Sequence, residues 1–318
     1  MLLPTKATLK GSLRRNSILT ILLVFLAGSA ILFPSFYKLN NILNILCQSS
    51  YIGIVSLGQT FVVLGGGIDL SVASLMSCIN VLLANLTLGK DAAVPWTIPV
   101  LLLVGAGIGL VNGFIIVKRR VPAFVVTLGV AVVLNGLRLI LTNGAPFGYI
   151  PRSVRFLGSG KLGIIPVAFL VFLLVMVVSH VVLKKAIFGR HLYAVGVNEK
   201  ASHSMGIRTD GVRIASYVIC SVMAALSAVI LSGYINTADN WSAKGMDLDS
   251  IAAVVLGGTM LEGGRGGVIY TMIGVLLIGL VTNVIVYAGL AIEIQLIAKA
   301  LVFILAVALY HGLARTKA

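Results

Sequence analysis

The 318-residue chain is 59% hydrophobic and only 10% charged, with a mean hydropathy of +1.09. Soluble domains carry roughly 25% charged residues, so water alone cannot solvate this composition and a bilayer must cover most of the surface. The formal charge of +15 does not point to nucleic acid, because the Lys and Arg lie between apolar runs and form no basic tract interleaved with aromatics.

About twenty apolar residues cross a hydrocarbon core, and on that measure the chain reads as ten segments. The first, 17–37, follows Lys6, Lys10, Arg14 and Arg15. It resembles a signal peptide, but Pro34, Phe36 and Tyr37 close it without a small-residue cleavage site. It is therefore read as a retained helix behind a cytoplasmic tail, 1–16. Segments 40–64, 70–88, 95–117 and 121–142 come next, then 163–183, 211–233, 248–261, 267–289 and 292–312. The stretch 248–261 is too short for a straight span, so it is either tilted or part of a broken helix.

Charge patterning orients these segments. With the N-terminus inside, sixteen of the 24 Lys and Arg fall in inner segments and six in outer ones, the bias that sets membrane topology. The expected fold is an all-α polytopic bundle of about ten transmembrane helices, one domain over 1–318, with both termini cytoplasmic. Arg138 and Lys299 fall within spans without an obvious acidic partner, either as snorkelling cations or as helix-to-helix donors.

Along the second segment, Asn41, Asn44, Gln48, Ser56 and Gln59 recur close to one helical face. Amides cannot face lipid unpaired, so this face meets other helices or lines a water-filled path, and Asn44, Gln48 and Gln59 are path candidates. The segment runs into Gly65-Gly66-Gly67-Ile68-Asp69-Leu70-Ser71. The glycines break the helix, and Asp69 and Ser71 are placed to cap the next one or to stand at a gate. A second break runs from Gly257-Gly258 to Gly263-Gly264-Arg265-Gly266-Gly267. Val62-Val63-Leu64-Gly65-Gly66 and Val254-Val255-Leu256-Gly257-Gly258 echo one another, by chance or as a structural repeat.

The longest polar stretch assigned inside is 184–210. Within it Asn198 suits a helix N-cap, Glu199 the first turn and Gly206 the residue after the last turn, which predicts a short helix of about seven residues. Too short to persist alone, it must pack on its own bundle or on a partner protein.

No chemistry-bearing constellation is present. Cys47, Cys78 and Cys220 are isolated, and His180, His191, His203 and His311 are scattered without metal spacing. No catalytic residue, metal or cofactor is expected. No phosphate-binding loop exists, and the nearest fragment, Gly89-Lys90-Asp91, lacks both the leading glycine and the Ser/Thr. An ion-coupled secondary transporter is the rival class. It needs buried carboxylates, and only Asp69 and Glu293 come near.

The sequence resembles the permease subunits of ribose-type bacterial ATP-binding-cassette sugar importers. The resemblance rests on Gly67-Ile68-Asp69-Leu70-Ser71-Val72, on Gly189-Arg190 leading to Tyr193-Ala194-Val195-Gly196 and Asn198-Glu199, on Met246 through Thr259, and on Gly263-Gly264-Arg265-Gly266. It extends over nearly the whole chain, with Ala73-Ser74 and Val197-Asn198 standing where many relatives read Gly-Ser and Gly-Asn. The resemblance implies a bacterial cell-membrane protein that pairs with a second permease copy or a related permease. It also implies two cytoplasmic ATPase subunits and an external sugar-binding protein as partners. It makes 189–207 the segment that meets the ATPase, with Gly189, Arg190, Tyr193, Gly196, Asn198, Glu199 and Gly206 as coupling residues; the glycine breaks themselves make Gly65, Gly66, Gly67, Gly257, Gly258, Gly263 and Gly264 the expected hinges.

Overall fold

A computed structural model describes residues 37–287 together with 289, 294, 297, 300 and 301. The expected first span but for Tyr37, most of the last, Glu293, the Lys299 side chain and both tails lie outside the described residues. Within them the regular structure is helical, apart from a hairpin pairing Lys161–Leu162 with Ile165–Pro166 and an isolated bridge between Tyr149 and Thr237. In order, the helices are α1 (Leu39–Leu64), α2 (Val72–Thr87), α3 (Val94–Lys118, entered by a 3-10 turn at Asp91–Ala93), α4 (Ala123–Thr142) and α5 (Arg152–Ser159). Then come α6 (Val167–Lys185), α7 (Ile187–Val197), α8 (Glu199–Ser204), α9 (Thr209–Ile235), α10 (Met246–Leu256) and α11 (Val268–Tyr287).

Six of these segments are long and apolar enough to cross a membrane: α1, α3 with its leading turn, α4, α6, α9 and α11. Helix α2, with 16 residues, is apolar but shorter. Of the two readings of the apolar stretch 248–261, the structure has the broken helix: α10 ends at Leu256, and Gly257 and Gly258 turn the chain away. Its 11 residues rise about 16 Å, half a hydrocarbon core.

Between α9 and α10 runs the turn segment 236–245, and side chains of α2 take several of its backbone hydrogen bonds. Asn80 of α2 donates to Ser232 Oγ (2.8 Å) and to the Thr237 carbonyl (3.2 Å), and its Oδ1 accepts from Asp239 N (2.8 Å). Ser77 Oγ accepts from Ala243 N, and Asn240 Nδ2 donates to Thr142 Oγ1 and the Gly144 carbonyl on the α4 side. Backbone groups off the helices that are shielded from water need such partners. Asn80→Ala leaves Asp239 N and the Thr237 carbonyl without their partner, so the purified chain should lose about 1–3 kcal/mol in thermal unfolding. An unchanged melting temperature would show that the segment is held by something else.

Helix α1 is the axis of the bundle. Of its 26 residues all from Ser49 to Leu64 are buried, against α6, α9, α10 and α11. Its hydroxyls and amides knit it to the others through Thr60 Oγ1 to Thr271 Oγ1 (2.8 Å), Ser227 Oγ to the Tyr51 carbonyl (2.6 Å) and Asn41 Nδ2 to Asn283 Oδ1 (3.0 Å). Helices α3 and α9 approach through a glycine stripe. A Cβ at Gly105, Gly109 or Gly113 would fall 2.8, 2.6 or 2.9 Å from backbone atoms of Ser221, Tyr217 and Ile214. Lipid supplies no hydrophobic drive between helices, so such backbone contact is what holds them.

Candidate functional site

The two glycine breaks are built alike. At the first, Gly66 N donates to the Val63 carbonyl and Gly67 N to the Val62 carbonyl; at the second, Gly258 N donates to Val255 and Thr259 N to Val254. Each is a Schellman cap, with Gly66 at φ +75° and Gly258 at φ +86° in the left-handed position where a Cβ is penalised. The short sequence echo is thus a repeated structural device: each copy ends a helix and sends the chain into a turn before another helix begins.

These breaks meet at one place, with α7 between them. Gly264 N donates to the Leu64 carbonyl at 2.9 Å, joining the second break to the end of α1. Gly196 of α7 lies against both, since a Cβ on it would collide with the Leu64 carbonyl oxygen and Gly264 N. Tyr193, one turn earlier, donates from its hydroxyl to the Gly266 carbonyl at 2.9 Å. Burial holds the Tyr193 phenol above its ordinary pKa, so it keeps the proton that this bond needs. Leu192 is fully buried against Gly65. Three glycine-bearing segments therefore touch backbone to backbone, with no flexible side chain between them.

Helix α8 extends from this junction. Asn198 caps it by accepting from Ala201 N (2.9 Å), and Gly206 at φ +83° closes it with a third Schellman cap, Gly206 N to His203 and Ile207 N to Ser202. At six residues it is one shorter than the sequence suggested. Glu199 reaches Arg213 of α9 at 2.9 Å, and Lys118 and Asp210 form an exposed pair at the same end. Only Ser202 of α8 is buried, while Val197 (70%) and Met205 (71%) stand exposed at either side of it. Its own bundle anchors this helix and leaves its apolar flanks uncovered. Gly189 sits buried in the bend from α6, pressed on the Val182 and Leu183 carbonyls, and Arg190 is exposed, reaching the Lys185 carbonyl.

The path candidates separate. Gln48 Nε2 donates to Tyr234 of α9 (3.2 Å) and Gln59 Oε1 accepts from Cys220 of α9 (3.5 Å), while the buried Gln59 Nε2 has no hydrogen-bond partner among the described residues. Asn44 alone of the three is exposed. Asp69 and Ser71 are fully buried. The expected cap is not formed by the Ser71 hydroxyl, because that group donates to Asp69 Oδ1 (2.6 Å) and accepts from Asn112 of α3 (2.9 Å). Asp69 Oδ1 also accepts from Ser71 N (2.8 Å), so its carboxylate secures the turn before α2 rather than the N–H groups of the helix itself. Asn112 and Asn80 escaped the sequence reading, since an isolated Asn in an apolar helix does not announce partners 41 and 152 residues away.

The family of branched-chain amino acid transport system permease components matches residues 41–307. The chain belongs to this permease family. It is 36% identical over 302 residues to the ribose import permease protein RbsC of Escherichia coli K12, covering 94% of both chains. To the same-named protein of Bacillus subtilis strain 168 it is 37% identical over 288 residues, 88% of this chain and 87% of the relative. The autoinducer 2 import system permease protein LsrC of Yersinia enterocolitica is 31% identical over 274 residues, 86% of this chain and 76% of that one. No solved structure matches. The permease is thus a multi-pass bacterial inner-membrane transport subunit, and its relatives are transport permeases rather than enzymes.

Proposed function

We propose that this permease forms half of the transmembrane pathway of an ATP-driven importer and moves a monosaccharide or related small polyol handed over by an external binding protein. Separate cytoplasmic ATPase subunits supply the energy, and a second copy or a related permease completes the pathway. The observation that carries this reading is the glycine junction. The exposed α7–α8 segment is bonded through Tyr193 and packed through Gly196 onto both broken helices, so a partner that displaces it displaces the ends of α1 and α11 together. Rigid-body movement of this kind is a known way to switch between two access states. The end bearing α7 and α8 is then the cytoplasmic one, in keeping with its Lys118, Lys184, Lys185 and Arg190. A sugar is favoured over a branched-chain amino acid because the relatives aligned over most of the chain are named for ribose and autoinducer 2 import.

The test is the double variant Asn198→Leu, Glu199→Leu, made in the transporter assembled with its ATPase. Uptake and stimulated ATP hydrolysis should fall at least tenfold, while the amount of chain in the membrane stays the same. Full uptake in this variant removes the coupling role. Uptake by the unaltered transporter that collapses under an uncoupler with ATP held constant would favour an ion-driven transporter instead.

A further inference from the structure

Away from the junction, α4 carries a buried cation beside the turn 236–245. Arg138 on α4 is 1% exposed, and its Nε and Nη2 atoms have no hydrogen-bond partner among the described residues. Those two nitrogens form one edge of the guanidinium, the edge whose two N–H bonds run parallel and grip a pair of adjacent oxygens at once. No carboxylate lies within ion-pair distance of it among the described residues. Its guanidinium instead sits 4.9 Å beneath the ring of Trp241, which is 55% exposed. The side chain therefore does not snorkel, and a buried cation with an idle bidentate edge within a membrane span marks a functional site by default.

The backbone that carries Trp241 is anchored: its amide N–H donates to Asp239 Oδ1, Asp239 N donates to Asn80 of α2, and the Asn240 side chain donates to Thr142 of α4, while the indole itself stands half exposed. An exposed aromatic on an anchored turn thus covers an unfilled donor pair where α9 gives way to the short α10, and such discontinuities are where transporters place their solutes. The apolar face of a sugar ring stacks on an aromatic, and two neighbouring hydroxyls match the spacing of the guanidinium edge.

We infer that Arg138 and Trp241 form a contact site for the transported solute, taking a neutral polyhydroxylated ring by its vicinal diol. The inference rests on the sugar-permease reading above and adds the two residues that touch the cargo on the outer half of the pathway. In passing, the solute takes the place of the indole over the guanidinium and fills the Nε and Nη2 donors.

The chain has two tryptophans, so Trp96→Phe leaves Trp241 as the sole emitter. Purified in that background, the protein is titrated at millimolar concentrations with D-ribose, D-glucose, ribitol and 2-deoxy-D-ribose, and with gluconate and ribose 5-phosphate as anionic comparators. A saturable change in Trp241 emission is expected with at least one neutral diol. For D-ribose, removing the 2-hydroxyl should weaken it at least tenfold, and Arg138→Met should abolish it. Arg138→Lys, which keeps the charge and loses the fork, should also weaken binding at least tenfold and serves should the Met variant fail to fold. The inference is overturned if no neutral sugar moves the emission while acrylamide still quenches it, if the response survives in both Arg138 variants, or if only the anions act. Sugar uptake by cells carrying the unaltered transporter separates the two levels. Uptake without a fluorescence response removes this site and spares the sugar-permease reading, whereas absence of uptake for every sugar removes the reading itself.

Discussion

Gly196→Ala is expected to abolish transport while leaving the chain in the membrane. The added methyl meets the Leu64 carbonyl oxygen and Gly264 N, both backbone atoms already bonded to one another at 2.9 Å. Neither can step aside as a side chain would. Overpacking of this kind costs about 1–3 kcal/mol, and parting the Gly264–Leu64 bond adds about 0.5–1.5 kcal/mol. Because the strain falls where α7 meets both helix breaks, uptake should drop more than tenfold even if the purified chain melts only a few degrees lower. Gly211→Ala is the matched control: it lies in the first turn of α9 with open space around its Cβ position, and should be neutral or gain up to about 1 kcal/mol from helix propensity. Wild-type uptake by the Gly196 variant would mean that α7 and the breaks are mechanically independent.

The largest loss of stability is expected from Gly109→Val. Its Cβ would land 2.6 Å from the Tyr217 carbonyl oxygen and 2.7 Å from Val218 Cα, and valine's two further methyls drive α3 away from α9. That contact is backbone on backbone in the closest helix pair of the bundle, so more than 3 kcal/mol is expected from overpacking together with lost packing along the stripe. The variant should fail to accumulate in membranes or melt well below the parent. Gly107, two residues away on the same helix, has nothing within 4 Å of its Cβ position. Gly107→Ala should be silent or mildly stabilising. Equal effects at the two positions would rule out the glycine stripe as the origin of the packing.

Much of this was readable from the residues. Glycine runs at 65–67 and 257–267 broke their helices where expected, because glycine weakens a helix interior and accepts the left-handed cap. The Asn198, Glu199 and Gly206 pattern gave a real helix, since capping depends only on neighbours in sequence. The stripe Gly105, Gly109, Gly113 was equally legible at a spacing of four and went unread. What could not be read depended on distant partners. Thr237, Asp239 and Asn240 look like a free loop by polarity, and only the structure shows Asn80 and Thr142 tying them to α2 and α4. Ser71 is a plausible cap until Asn112, 41 residues away, claims its hydroxyl. Arg138 and Trp241 are likewise 103 positions apart, and nothing local pairs them.

The turn segment before α10 also constrains biogenesis. An ordinary span can leave the translocon by itself because its apolar length and internal bonding suit it to lipid. Residues 236–256 have neither: half their length is unwound, and its amides depend on Asn80 and Ser77, made more than 150 residues earlier. This portion must therefore wait at the insertion machinery or in its shelter until α2 and α4 are already docked. Its arrival is then a late, order-dependent step in assembling the subunit.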